Sequence, residues 1–87
     1  MEINERECHK AGLDYEEVHR IAKGISRYAN QADKLGIEIF GGSSGSLRFK
    51  DDKSLEGRPL ILAFLDGRYD GGCGACYEDE KGFLRGE

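Results

Sequence analysis

Residues 18–40 read VHRIAKGISRYANQADKLGIEIF, and the spacing of their apolar side chains changes once. Up to Leu35 the apolar residues recur at intervals of three and four, which places them on one face of an α-helix. From Ile37 onward apolar and polar residues alternate, as in a half-buried β-strand. Gly36 separates the two patterns and suits the left-handed conformation that commonly follows a helix. The stretch therefore predicts a long amphipathic helix followed directly by a strand.

Both ends of the long helix carry recognisable signals. Asp14 is a suitable N-cap, and Glu17 follows it at capping-box spacing. Together with Gly36 these residues predict a helix over residues 15–35. A shorter helix over about residues 4–10 is expected to precede it and to end at Gly12.

The remainder of the chain has the patterns of short strands. Residues 37–40 and 47–50 alternate in polarity, and the glycine- and serine-rich residues 41–46 between them indicate a β-hairpin. Residues 60–65 are apolar on both faces, which is typical of a central strand. The Asp-Gly turn at residues 66–67 is expected to lead into a fourth, short strand.

Helices followed by strands, without alternation, are typical of the α+β class. We therefore expect an N-terminal helical segment, made of the short and the long helix, packed on a three- to four-stranded antiparallel sheet. At 87 residues the chain is expected to form a single domain, residues 1–87.

Charge and composition exclude several classes of protein. The chain has 13 Lys and Arg against 17 Asp and Glu, a net charge of -4, which disfavours nucleic acid as a partner. The longest apolar run, residues 60–65, is far shorter than the roughly 18–20 residues that a membrane span requires. An odd number of cysteines, 3, and no secretory pattern at the start favour a cytoplasmic protein with reduced thiols.

Cys73 and Cys76 form a CxxC motif, the most specific local pattern in the sequence. Two such thiolates can share a tetrahedral zinc ion, for which Cys8, His9 and His19 are the candidates for the remaining ligands. Because strong zinc patterns contain two paired ligand clusters, we expect no cofactor and keep zinc as the alternative.

The glycines are concentrated in two loops, residues 41–46 and 66–76, and these loops are the expected site of function. No nucleophile–base pair, carboxylate dyad or complete metal set can be assembled from the sequence, so an enzyme is not expected. Acidic residues after the second loop suit contact with basic groups of a partner. The predicted partner-binding residues are Ser43, Ser44, Arg68, Tyr69, Asp70, Glu78, Asp79 and Glu80.

The leading hypothesis is a small acidic, non-catalytic protein-binding module, an inhibitor or adaptor whose partner is another protein. A phage or bacterial accessory protein that antagonises host nucleic-acid machinery, of the anti-CRISPR kind, is one example, and a homodimer is left open. A module stabilised by zinc at Cys73 and Cys76 is the alternative. The third hypothesis is nucleic-acid binding by a basic stripe on the long helix, opposite its apolar face. This stripe consists of Arg20, Lys23, Arg27 and Lys34.

Overall fold

A computed structural model describes residues 1–42, 45–50, 57–71 and 74–86, and within them it shows two helices and five strands. The α+β class predicted from the sequence is confirmed. The elements are α1 (Glu5–Lys10), α2 (Tyr15–Lys34), β1 (Ile37–Phe40), β2 (Ser46–Phe49), β3 (Leu60–Phe64), β4 (Cys76–Glu78) and β5 (Leu84–Gly86).

The chain divides into two compact units, one of Met1–Arg27 with Gly72–Glu87 and the other of Tyr28–Gly71. The first contains α1, the start of α2 and the β4–β5 pair. The second contains the end of α2 and a sheet formed by β1, β2 and β3. The interpretation of residues 1–87 as a single domain stays a prediction.

Helix α2 begins and ends at the predicted signals. The amide of Glu16 donates to Oδ1 of Asp14 at 3.2 Å, so Asp14 satisfies one of the amides that a helix start leaves without a partner. At the other end Gly36 has φ 75°, and its amide donates to the Asp33 carbonyl at 3.0 Å. A Cβ at Gly36 would also lie 3.3 Å from the Phe49 ring. The left-handed turn therefore connects the helix directly to β1.

The three-stranded sheet is antiparallel, with the order β1-β2-β3. In β1 and β2, Ile37 stands opposite Phe49 and Ile39 opposite Leu47, as expected for a hairpin whose apolar residues share one face. Strand β3 lies at the edge, and the prediction that it is the central strand is wrong. The strands pair in chain order, so β2 takes the central position, whatever the apolar content of β3.

The segment after β3 does not add a fourth strand to this sheet. Residues 65–71 are not in a strand, and within them the Tyr69 hydroxyl donates to the Asp66 carbonyl at 2.7 Å. The predicted strand at residues 68–69 is therefore wrong. The tail instead forms an antiparallel pair, β4–β5, in a separate sheet in which Tyr77 stands opposite Arg85.

The β4–β5 pair is joined to α1 by polar contacts within the first unit. Glu7 accepts a hydrogen bond from the Leu84 amide at 2.8 Å. Arg6 donates to the carbonyls of Lys81 and Gly82 at 3.4 and 3.5 Å, and its guanidinium lies 4.7 Å from the centroid of the Phe83 ring. These contacts link residues more than seventy positions apart in the sequence.

Few apolar side chains are buried in the described parts of the chain. The buried apolar residues in these parts are Cys8 in α1 and Ala32 in α2. Ile25, in the middle of the apolar face of α2, keeps 64% of its surface exposed, contrary to the expectation that this face is covered. Neither described helix combines the length and apolar composition required to cross a membrane.

Candidate functional site

Strand β3 is the most exposed apolar element of the sheet. All five of its residues, LILAF, are exposed, and Phe64 keeps 73% of its surface in solvent. One edge of β3 pairs with β2. No strand among the described residues pairs with its second edge, and we call this second edge the β3 edge. A strand with the composition of a sheet interior thus lies at the rim of its sheet.

One face of β3 continues the apolar face of the hairpin. Leu60 stands opposite Phe49, and Ala63 stands opposite Leu47. Since directly opposed residues point to the same side of a sheet, these side chains form a row across two strands. Leu60 keeps 51% of its surface exposed, so the end of this row remains in solvent.

The other face of β3 is apolar beside a polar part of β2. Ile61 stands opposite Arg48, and Phe64 stands opposite Ser46. The Arg48 guanidinium lies 4.0 Å from the centroid of the Phe40 ring, and its Nε donates to the Ser46 hydroxyl at 3.0 Å. Arg48 is therefore held toward β1, and Ile61 and Phe64 stay uncovered.

A β-bulge interrupts the pairing of β2 with β3. Arg48 stands opposite Ile61, and the adjacent Leu47 stands opposite Ala63. Leu62 therefore has no counterpart in β2. A bulge of this kind increases the local twist and is common at sheet edges. Leu62 keeps 49% of its surface exposed, in the centre of the strand.

The two edges of the sheet differ in charge. Strand β1, at the opposite edge, carries Glu38, and a charge on an edge strand opposes pairing with other chains. Strand β3 carries no charged residue, and charges appear only beyond its ends, as Arg58 before it and Asp66 after it, both exposed. The β3 edge is therefore the less protected of the two.

The structure brings together three of the predicted partner-binding residues. Arg68, Tyr69 and Asp70, with Gly71, line an open depression of about 510 Å³ in the second unit. Ser43 and Ser44, predicted to act with them, lie outside the described residues.

The two glycine-rich loops are in contact, and glycine permits their close approach. A Cβ at Gly71 would lie 3.3 Å from the Gly41 carbonyl oxygen, and one at Gly45 would lie 2.7 Å from the Tyr69 ring. Gly45 also has φ 35°, a conformation that other residues rarely adopt. Tyr69 therefore anchors the second loop on the first.

The predicted acidic cluster of Glu78, Asp79 and Glu80 is not uniform. Asp79 accepts hydrogen bonds on Oδ1 from the amides of Lys81 and Phe83, at 3.0 and 2.9 Å. Its Oδ2 accepts one from Nε of Arg85 at 2.8 Å. These bonds, that of Arg85 first, lower the pKa of Asp79 below its ordinary value of 3.8. Asp79 organises the β4–β5 turn, whereas Glu78 and Glu80 are exposed.

The basic stripe lies along α2 and is exposed, but its residues differ in the partners that they have within the chain. Arg20 forms a hydrogen-bonded ion pair with Glu17, one turn earlier. The hydrogen bond raises the pKa of Arg20 and lowers that of Glu17, and the attraction between the two charges adds to both effects. Nucleic-acid binding by Arg20, Lys23, Arg27 and Lys34 stays a prediction.

The zinc hypothesis concerns a motif of which only half is described. Cys76 is exposed in β4 and Cys8 is buried in α1, both without a disulfide, while Cys73 lies outside the described residues. Within the described ranges, no group of three or more His, Cys, Asp or Glu residues is arranged to hold a metal ion. The zinc alternative at Cys73 and Cys76 stays untested.

The chain matches no protein-family model, no curated protein and no solved structure. The β3 edge was not among the residues singled out from the sequence. Its signal was present in the uninterrupted apolar run at residues 60–65, which was interpreted as the interior of a sheet.

Proposed function

We propose that the chain is a small acidic, non-catalytic protein-binding module that pairs an extended segment of a protein partner with the β3 edge. The observation that carries the proposal is the mismatch between composition and position, since β3 is apolar on both faces and lies at the rim of the sheet. Addition of a strand covers such an edge, and it is a common mode of peptide recognition. As an inhibitor or adaptor, the module would act by occupying that segment of its partner.

The energetic terms at the β3 edge suit a reversible complex. Each apolar cross-strand pair contributes roughly 0.2–1 kcal/mol, and each main-chain hydrogen bond roughly 0.5–1.5 kcal/mol. Association costs at least about 4 kcal/mol, so a strand as short as β3 supports binding in roughly the millimolar to micromolar range rather than nanomolar binding. The apolar faces give affinity, and the residues beyond the strand ends give orientation.

The chemistry of β3 defines the segment that it accepts. The segment must be extended, apolar on both faces and free of proline at its centre, because proline cannot donate to the ladder. Arg58 and Asp66 beyond the two ends of β3 favour a segment that carries an acid near Arg58 and a base near Asp66.

Selection from a random peptide display library on the immobilised protein tests this proposal. We expect enrichment of apolar extended sequences, and loss of their binding to the variant Leu62→Lys, because a lysine on an edge strand opposes pairing with another strand. The matched control is Glu38→Lys on β1, which changes a charge at the opposite edge and should retain the selected peptides. Absence of enrichment, or equal binding to Leu62→Lys, would contradict the proposal.

A further inference from the structure

We infer that the segment paired with the β3 edge is β3 of a second copy of this chain, so that two copies form one continuous antiparallel sheet. This inference rests on the proposed function of the edge and names its partner. Charge, apolar matching and the composition of the opposite edge each support it.

The charges that flank β3 are complementary to themselves in an antiparallel arrangement. Arg58 lies two residues before the strand and Asp66 two residues after it. In an antiparallel pair of two β3 strands, each end therefore brings Arg58 of one copy beside Asp66 of the other. The same strands in parallel would place like charges together at both ends, which is unfavourable. The flanking residues thus select a second copy in a defined direction.

The apolar side chains of β3 also match a second copy on both faces of the sheet. Leu60 and Ala63 belong to one face, and Ile61 and Phe64 belong to the other. In an antiparallel pair whose register sets Leu60 opposite Ala63 of the second copy, the opposed residues share a face, so the apolar row continues from one copy to the other. The half-exposed Leu62 at the centre of the strand lies next to the two-fold axis of such a pair.

The composition of β1 explains why β3, and not β1, is the edge that pairs. Two β1 strands in antiparallel register would bring Glu38 of each copy close together, and like charges across a pair are destabilising. Pairing through β3 alone uses the same surface on both copies. Such an isologous contact closes after two chains and places the two β1 strands at the outer edges of the joined sheet, which argues for a dimer instead of a fibre.

Charge reversal at the two flanking residues tests the inference without changing the strand itself. The experiment is sedimentation equilibrium of the wild-type chain and of the variants Arg58→Asp, Asp66→Arg and the double variant. We expect a concentration-dependent dimer for the wild type. Each single reversal creates two repulsive pairs per dimer and should raise the dissociation constant about tenfold or more. The double reversal restores opposite charges and should return the constant to within about threefold of the wild type.

The control variant is Glu38→Lys, which changes a charge at the β1 edge and should leave the dissociation constant unchanged. A wild-type chain that stays monomeric at all concentrations overturns the inference, as does a dimer in which the single reversals have no effect or the double reversal gives no recovery. The chain could be monomeric and still bind the selected peptides, with that binding lost in the variant Leu62→Lys. In that case the inference of a second copy is wrong and the proposed function stands. If the peptides fail as well, both are wrong.

Discussion

Asp79 is the residue whose ionisation state matters most for local structure in the first unit. Its carboxylate accepts three hydrogen bonds, from the amides of Lys81 and Phe83 and from Arg85. A carboxylate held in this way is stabilised in its charged form, so its pKa is lower in the folded chain than in the unfolded one. The β4–β5 turn therefore depends on a charge that acid removes.

We predict that the β4–β5 turn loosens as the pH falls below about 4. Because the folded pKa of Asp79 is depressed, its contribution is complete above the ordinary value of 3.8 and is lost as the pH falls through the folded value. An NMR titration of the Lys81 and Phe83 amides should report a midpoint below 3.8. In Asp79→Asn these amides should lose their acid transition, whereas the neighbouring variant Glu80→Gln should retain it. A wild-type midpoint at or above the ordinary value would contradict the assignment.

Helix α2 contains a glycine that its environment does not require. A Cβ at Gly24 would meet no atom within 4 Å, and its φ is not positive. A helix with glycine in its interior is less stable than the same helix with alanine. Glycine gives the unfolded chain more conformational freedom, and this freedom is lost on folding. Gly24→Ala should therefore raise the free energy of unfolding by roughly 0.5–1 kcal/mol. Chemical denaturation followed by circular dichroism measures the change.

The matched control at the end of the same helix is Gly36→Ala, for which we expect the opposite sign. Gly36 has φ 75° and lies against the Phe49 ring, so alanine introduces both backbone strain and a close contact. The free energy of unfolding should fall by about 1 kcal/mol or more. If both substitutions change stability in the same direction, the described positions of these glycines are wrong.

The elements that were predicted from the sequence are those that depend on local pattern. Helix α2 was predicted over residues 15–35 and is found at Tyr15–Lys34, because Asp14 and Gly36 act through their own backbone. The β1–β2 hairpin follows equally from alternation of polarity. The β4–β5 pair was not predicted, because its strands are only three residues long and its turn is organised by the hydrogen bonds of Asp79, which leave no periodic signal in the sequence.

The position of β3 shows a different limit of sequence interpretation. An apolar run at residues 60–65 indicates that both faces of a strand are covered, but it does not say by which chain. The structure puts this strand at the edge of the sheet, with all five of its residues exposed. The candidate site was thus visible in the sequence as an apolar run, while its role depends on strand order, which the run alone does not determine.

At the scale of the whole molecule, the proposed dimer joins two copies of an acidic chain against their net charge. Each copy carries -4, but salt screens this long-range repulsion beyond about 8 Å at physiological ionic strength. The attraction between Arg58 and Asp66 acts at short range and is less screened. The dimer should therefore strengthen when salt rises from low to moderate concentration, as long as the apolar pairing of β3 dominates.

Thermal unfolding tests whether dimerisation and folding are linked in the whole chain. If two copies unfold together, a tenfold increase in protein concentration adds about 1.4 kcal/mol to the free energy of unfolding of the pair. For two chains of 87 residues this corresponds to a rise of roughly 4 °C in the unfolding midpoint. Differential scanning calorimetry over several dilutions should show this rise for the wild type and for Glu38→Lys. The midpoint of Leu62→Lys should not depend on concentration, because its altered β3 edge no longer pairs. A wild-type midpoint that stays constant on dilution would mean that the chain folds without a second copy, and that β3 keeps its apolar faces for another partner.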